Sequence, residues 1–172
     1  MENKKIVVYC KGNFIGENKE MLEMYEYSKD IIIENKLEAN YIDVTAKNGW
    51  YSTKILKLTK SEPKLINEIK NTDNILGVGI YSVEITRTKN FNYNTSIFLN
   101  FNTGLFLLES KEGCIDQVHL EAVFENFKKY MKNYKAEIFE YGGDILASSY
   151  VSGMGDSSDF EYFKLIKKEE IE

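Results

Sequence analysis

Residues 93–110 read YNTSIFLNFNTGLFLLES, and this stretch decides the fold. Ile97, Leu99 and Phe101 alternate with mostly polar positions, which is typical of a β-strand that has one better buried face. The Asn-Thr-Gly segment that follows favours a tight turn, so the stretch predicts a hairpin of two antiparallel strands. A predicted strand at 75–86, which begins with the apolar run 75–81, precedes the hairpin. These three strands are expected to form the centre of a sheet.

Further strands and helices can be assigned on both sides of this centre. The predicted strands are residues 5–10, 40–45, 51–59, 75–86, 93–101, 105–110, 136–141, a segment ending near 151, and 159–167. The predicted helices are about 18–38, 63–70 and 116–134, with a flexible loop at 152–158 and a frayed tail at 167–172. This order of elements indicates one α+β domain over residues 1–172, with a mostly antiparallel sheet packed with two long helices and one short helix.

The first predicted helix has two chemically different sides. At about 100° per residue, its apolar side chains gather on one side, and its carboxylates crowd an arc of roughly 120° on the other. The acidic residues are Glu20, Glu23, Glu26, Asp30, Glu34 and Glu38. A helix of this kind packs its apolar side on a core and presents a negative field to solvent, and such a field attracts basic partners.

The same acidic pattern also has an ordinary interpretation, because most charged helix faces are simply solvated. Against that interpretation, Asp30, Glu34 and Glu38 repeat like charges at i,i+4 spacing near the negative end of the helix dipole. Each such pair costs a few tenths of a kcal/mol. A local loss of stability of this type is often found at functional sites, where the residues serve binding or catalysis and not the fold.

Overall charge and composition exclude several classes of protein. The chain has 27 acidic and 22 basic residues and a formal net charge of −5, so nucleic acid is a poor partner. Arg87 is the only arginine, which disfavours phosphoryl transfer and dinucleotide binding. Apolar runs are shorter than the roughly 20 residues that a membrane helix needs. The N-terminus lacks the features of a secretory signal, so a cytoplasmic location is expected.

Few residues suggest catalysis. His119 is the only histidine, and its neighbours Asp116 and Cys114 would be its candidate partners in acid–base or Cys-His chemistry. A boundary histidine beside the core is the favoured interpretation. Cys10 and Cys114 lack the spacing of a disulfide framework or a zinc site, and both are predicted to be small buried side chains.

Other candidate sites are weak. Gly77 and Gly79 share one face of a predicted strand, where close packing or a bulge is favoured over phosphate binding because no Lys-Ser/Thr pair follows. Asp144, Asp156 and Asp159 flank the C-terminal loop without the spacing of a calcium loop. No cofactor and no metal are predicted.

Trp50 and Tyr51 directly follow the turn-forming Asn48-Gly49 pair. Their position is compatible with an exposed aromatic anchor for a partner protein, and equally with burial in the core.

Taken together, small size, acidic charge, α+β element order and a carboxylate-rich helix resemble the immunity proteins that bacteria make against polymorphic toxins. The resemblance spans the whole chain and involves no sequence motif. It implies a non-enzymatic protein that binds a basic partner, a toxin domain, through its acidic surface. The partner-binding residues would be Glu23, Glu26, Asp30, Glu34, Trp50 and Tyr51.

A small enzyme or ligand-binding domain is the alternative. Its pocket would lie near the C-terminal loops, around residues 142–159, with His119 as a candidate neighbour.

Overall fold

The computed structural model describes residues 4–49, 54–84 and 93–172. Its strands are β1 (Lys5–Phe14), β2 (Tyr41–Ala46), β3 (Leu56–Lys57), β4 (Ile75–Val83), β5 (Tyr93–Asn100), β6 (Leu105–Lys111), β7 (Met131–Gly142) and β8 (Tyr162–Ile171). They form one sheet in the order β3-β2-β4-β5-β6-β1-β7-β8, and every neighbouring pair is antiparallel. The predicted α+β class with an antiparallel sheet is confirmed, and β4, β5 and β6 lie at its centre as expected.

Three long helices and one short one accompany the sheet in the described residues. They are α1 (Asn18–Glu34), α2 (Leu58–Asn71), α3 (Gln117–Lys128) and α4 (Ala147–Val151), followed by a 3₁₀ turn at Ser157–Asp159. The predicted short helix at 63–70 is therefore wrong in length, because α2 begins at residue 58. Pro63 lies inside α2, where it cannot donate a hydrogen bond to the carbonyl of Thr59.

The larger core lies between one face of the sheet and α1, α2 and α3, and we call this face the helix face. Alternate strand residues such as Val8, Ile80 and Leu108 point to it, as the period of two along a strand requires. The helices contribute buried side chains from one side each, including Met24, Tyr25, Ile31, Ile32, Leu65, Ile69, Leu120, Val123, Phe124 and Phe127.

The opposite face of the sheet carries a second, smaller core, and we call it the second face. Val7 and Tyr9 of β1, with Phe139 and Tyr141 of β7, pack there against α4 and Phe160. Residues 147–151 were predicted as strand, which is wrong. They form a helical turn that places Ala147 and Val151, four residues apart, on the same buried side.

The acidic helix begins and ends at well-defined caps. Glu17 is its N-cap, and a capping box joins Glu17 to Glu20. At the C-terminus the N–H of Leu37 donates to Ile32 O at 3.2 Å and that of Lys36 to Ile33 O at 2.9 Å, which is the Schellman pattern. The predicted end at residue 38 is wrong, and Glu38 lies beyond the helix.

The helix predicted over 116–134 also ends early. α3 stops at Lys128, and β7 begins three residues later at Met131. Asn133, with a positive φ of 49°, lies inside β7 at the register shift between β1 and β7, which marks a β-bulge. Met131 and Tyr134 are buried on the helix face as strand residues, where the sequence pattern placed them on a helix.

Two further strand predictions differ from the structure. Only Leu56 and Lys57 pair with β2 in the described part of the region predicted as strand 51–59, and residues 58 and 59 belong to α2. At the other end of the chain, residues 167–171 are not frayed. They continue β8, which pairs with β7 up to Ile171 opposite Tyr134.

Candidate functional site

The carboxylates of α1 form a continuous surface on the side of the helix that faces away from the core. We call Glu20, Glu23, Glu26, Asp30 and Glu34 the acidic face of α1. Met24, Tyr25, Ile31 and Ile32 are buried on the other side. This arrangement fixes the axis and rotation of the helix, so the charges are held by a packed element and not by a loop.

Two members of the acidic face serve the fold as well. Glu20 accepts a hydrogen bond from the backbone N–H of Glu17 at 2.9 Å, which lowers the pKa of the Glu20 carboxyl. Glu23 accepts a hydrogen bond from the Tyr130 hydroxyl and lies 3.9 Å from Lys129 Nζ. Glu20 therefore caps the N-terminus of α1, and Glu23 connects the helix to Lys129 and Tyr130.

Glu26 and Asp30 are different. Both are exposed, and no hydrogen bond or ion pair to either of them occurs within residues 4–49, 54–84 and 93–172. The nearby Lys29 does not neutralise them, because its ammonium forms an ion pair with Glu62 of α2. One helical turn separates the two carboxylates, so they form the unneutralised centre of the acidic face.

Glu34, at the C-terminal end of the acidic face, contacts the only histidine. His119 Nε2 lies 3.0 Å from Glu34 Oε2, and His119 Nδ1 lies 2.8 Å from Asp116 Oδ1. Asp116 Oδ1 also accepts from the backbone N–H of His119 at 2.9 Å and so caps α3, and its contact with the imidazole becomes an ion pair when His119 is protonated. His119 thus bridges α1 and the N-terminus of α3.

The contacts of His119 with Asp116 and Glu34 predict a raised pKa for His119 and a pH dependence of stability. NMR can measure the pKa. Asp116, and after it Glu34, raise the pKa of His119 above its usual value of about 6.5. Because the pKa is higher in the folded state, the bridge stabilises the fold fully below the unfolded pKa and loses this contribution as pH rises through the folded pKa. Asp116→Asn, which retains a capping side chain, should lower the pKa of His119 more than Glu34→Gln does. A titration of the single imidazole signal that gives a pKa at or below the unfolded value would contradict the assignment.

Catalysis by a Cys114-His119 pair gains no support from this geometry. Both imidazole nitrogens of His119 are next to carboxylates. Burial raises the pKa of the Cys114 thiol, which disfavours the reactive thiolate. The prediction that both cysteines are buried is confirmed for Cys10, whereas Cys114 is only partly buried.

The C-terminal aspartates have local structural partners. Asp156 caps the 3₁₀ turn by accepting from the Ser158 N–H at 3.1 Å, and its own N–H donates to Asp159 at 2.7 Å. Asp144 is exposed. Across the described residues, no group of three His, Cys, Asp or Glu side chains is placed to hold a metal ion.

Two buried carboxylates on the second face were missed by the sequence analysis. Glu109 of β6 accepts from Lys5 Nζ at 2.8 Å and from the Tyr93 hydroxyl at 3.0 Å. The signal available in the sequence was that Glu109 directly follows the apolar run at residues 105–108 of a predicted strand.

Glu137 of β7 has a similar environment. It accepts from the Tyr9 hydroxyl at 2.9 Å and from the Tyr150 hydroxyl at 3.1 Å, and Lys135 Nζ lies 3.1 Å away. Burial and the Glu137 charge raise the pKa of Tyr150 to about 12, so this phenol remains a donor near neutral pH. Such hydrogen-bonded carboxylates connect neighbouring strands and α4.

The glycines of β4 prove to be packing positions. A Cβ on Gly79 would lie 2.4 Å from Asp43 Oδ1 of β2, and Tyr81 donates its hydroxyl hydrogen to Asp43 Oδ2 at 2.6 Å. A Cβ on Gly77 would lie 3.1 Å from the Leu99 carbonyl of β5. The close-packing interpretation of this pair is confirmed.

Two cavities lie among the residues that the structure describes. A cavity of about 150 Å³ lies between the start of β1 and the start of α3, beside Lys5, Glu112 and Leu120. A wider cleft adjoins Gly12, Asn133 and the end of β8. Residues 142–159 line neither of them.

Trp50 and Tyr51, the proposed aromatic anchors, lie outside the described residues. The described helices include none that is long and apolar enough to span a membrane. Comparison with protein-family models, curated proteins and solved structures finds no match for this chain.

Proposed function

We propose that this protein is a non-enzymatic binding protein whose acidic face of α1 docks a basic partner, in the manner of an immunity protein that neutralises a bacterial toxin. The observation that carries the proposal is the pair Glu26 and Asp30. Both are exposed, one turn apart and without an ion pair or hydrogen bond in the described part of the chain. Their charge is therefore directed at solvent, where a cationic surface can reach it.

The packing of α1 on the core favours recognition by a partner protein. α1 is packed through Met24, Tyr25, Ile31 and Ile32, so its backbone loses little freedom when a partner binds. Glu23 and Glu34, on either side of the central pair, are already held by Tyr130 and His119. They add negative charge at positions fixed before binding.

A toxin domain with a basic cleft is the partner class that fits best. Clefts that bind phosphate are lined by lysine and arginine, and an acidic helix can occupy them by presenting carboxylates in place of phosphates. Complementary fields of this kind raise the association rate and lose their effect as salt is added. The cytoplasm of the producing cell is the compartment in which we propose that this protection operates.

Charge reversal on α1 tests the proposal. The probe is the purified protein encoded beside the gene for this chain, and the measurement is its association rate by stopped-flow at low and high salt. Glu26→Lys with Asp30→Lys should slow association about tenfold or more at low salt, because it turns the steering field from attractive to repulsive. The difference from wild type should shrink at high salt.

The matched control is Asp144→Lys with Glu161→Lys, which changes two other exposed acidic residues and the net charge by the same amount. This control should associate nearly as fast as wild type. Equal slowing by both double variants would show a non-specific charge effect and would contradict docking on α1. In cells that produce the toxin domain, the wild-type chain and the control should restore growth, and the α1 variant should not.

A further inference from the structure

The smaller of the two cavities lies on the helix face of the sheet, between the start of β1 and the start of α3. Its volume is about 150 Å³, and an apolar protein cavity of about this size can bind benzene. Ile6, Ile115 and Leu120, all buried residues, form its apolar part. Pockets for nucleotides and other large ligands usually measure about 300–1,000 Å³. The cavity therefore suits a small ligand with a short apolar group.

Charged side chains of both signs surround the opening of this cavity. Lys4, Glu112 and Glu140 line it, and each of them is exposed or half-buried. The backbone N–H of Glu112 donates to Lys4 O at 3.1 Å, so these two residues are neighbours. Lys4 is two residues before Ile6, and Glu140 is opposite Ile6 in β7, so both lie on the helix face. The three charged groups therefore converge on one opening from three segments of the chain.

These charges have few partners within the protein. In residues 4–49, 54–84 and 93–172, no ion pair joins Lys4 to a carboxylate, and the Glu112 side chain has no hydrogen bond or ion pair. The Lys4 ammonium lies 4.7 Å from the centre of the Tyr162 ring, and the Tyr162 hydroxyl donates to Glu140 at 3.1 Å. Lys5 also lines the cavity, but its ammonium is paired with a buried carboxylate on the second face. One ammonium and two carboxylates are thus left to face a ligand.

We propose that this cavity binds a free α-amino acid with a branched aliphatic side chain, such as leucine. Lys4 binds the carboxylate of the ligand, and Glu112 and Glu140 bind its ammonium, through charge-assisted hydrogen bonds. The aliphatic side chain fills the apolar part of the cavity. A simple amine would leave Lys4 without a partner, and a simple carboxylate would meet the two glutamates, so the charges select a ligand that carries both signs.

The acidic face of α1 does not line this cavity, so the inference does not depend on the proposed function.

Titration of the ¹⁵N-labelled full chain with L-leucine, followed by NMR, tests the proposal. Leucine should bind with a dissociation constant of about 1 mM or lower. It should shift the amide signals of Gly113 and Leu120, which line the cavity. Isopentylamine lacks the carboxylate of leucine, and 4-methylpentanoate lacks its ammonium, so each should bind about tenfold more weakly or worse. Glycine, which has no side chain to bury, should also bind more weakly.

Substitutions at the opening assign each charge to its part of the ligand. Lys4→Gln should weaken leucine binding about tenfold and remove the preference for leucine over isopentylamine. Glu112→Gln with Glu140→Gln should remove the preference for leucine over 4-methylpentanoate. Lys60→Gln and Glu38→Gln, which each remove an exposed charge elsewhere, are the matched controls and should bind leucine like wild type.

The same spectra show whether each variant remains folded. A wild-type chain whose spectrum does not change at about 20 mM leucine would overturn the proposal. Shifts confined to residues away from the cavity would also overturn it. Equal affinity for leucine and its two analogues, or an unchanged preference in Lys4→Gln, would contradict recognition of the ligand by these charges.

Discussion

Replacing Gly104 by alanine is expected to destabilise the protein by about 3 kcal/mol or more. Gly104 lies in the turn between β5 and β6 with φ of +66°, a conformation that costs an L-residue about 1–2 kcal/mol. A Cβ at this position would also lie 1.8 Å from the carbonyl oxygen of Gly12 in β1. The two glycines cannot simply separate, because the Gly12 N–H donates to Gly104 O at 2.8 Å. Urea denaturation gives the difference in free energy of unfolding.

Gly113→Ala is the matched control for this prediction. Gly113 also has a positive φ, +79°, but no atom lies within 4 Å of the Cβ that alanine would add. The control should therefore cost only the conformational term, about 1 kcal/mol. Equal losses in the two variants would mean that the approach of the β5–β6 turn to β1 does not constrain position 104.

The centre of the fold could be predicted from sequence because its signals are local. The alternation through Ile97, Leu99 and Phe101, followed by a turn with glycine, identifies the β5–β6 hairpin from adjacent residues alone. The end of α1 could not be predicted in this way. Lys36 adopts φ of +60° at the position where glycine usually marks a helix end, so the expected signal is absent from the sequence.

Pairing with strands that are distant in the sequence explains the other wrong secondary-structure predictions. Residues 167–171 are highly charged and read as a tail, yet they are strand because β7 offers an edge on which to pair. The spacing of Phe127, Met131 and Tyr134 fits a helix, but after Asn133 the chain alternates as a strand against β1. Local spacing cannot distinguish these cases, since the deciding partner lies far away in the sequence.

The candidate site was predictable in outline and not in detail. Helical periodicity placed the carboxylates of α1 on one side, and the structure has Glu26 and Asp30 exposed there. It could not show that Tyr130 and His119, from outside the helix, engage Glu23 and Glu34. Those contacts join residues about 85 to 107 positions apart and depend on how α1 packs on the sheet and α3.

Phe106→Ala is expected to cost about 3–5 kcal/mol, a large part of the stability of a typical domain. Phe106 is fully buried on the helix face of β6. Its ring centroid lies 5.6 Å from that of Phe14 and 5.7 Å from those of Phe101 and Phe127, all with edge-to-face geometry. The substitution removes the ring that joins β1, the β5–β6 turn and α3, and the neighbouring backbones restrict collapse of the cavity.

Phe163→Ala provides the comparison on the second face. Phe163 is only half-buried, and its ring stacks on Phe139 at 5.2 Å and on Phe160 at 5.8 Å. Since this side chain keeps contact with solvent and its neighbours belong to a smaller cluster, the loss should be about 1–2 kcal/mol. Thermal and urea unfolding of both variants measure the difference. Equal costs would contradict the larger contribution assigned to Phe106, whose ring joins β1, the β5–β6 turn and α3.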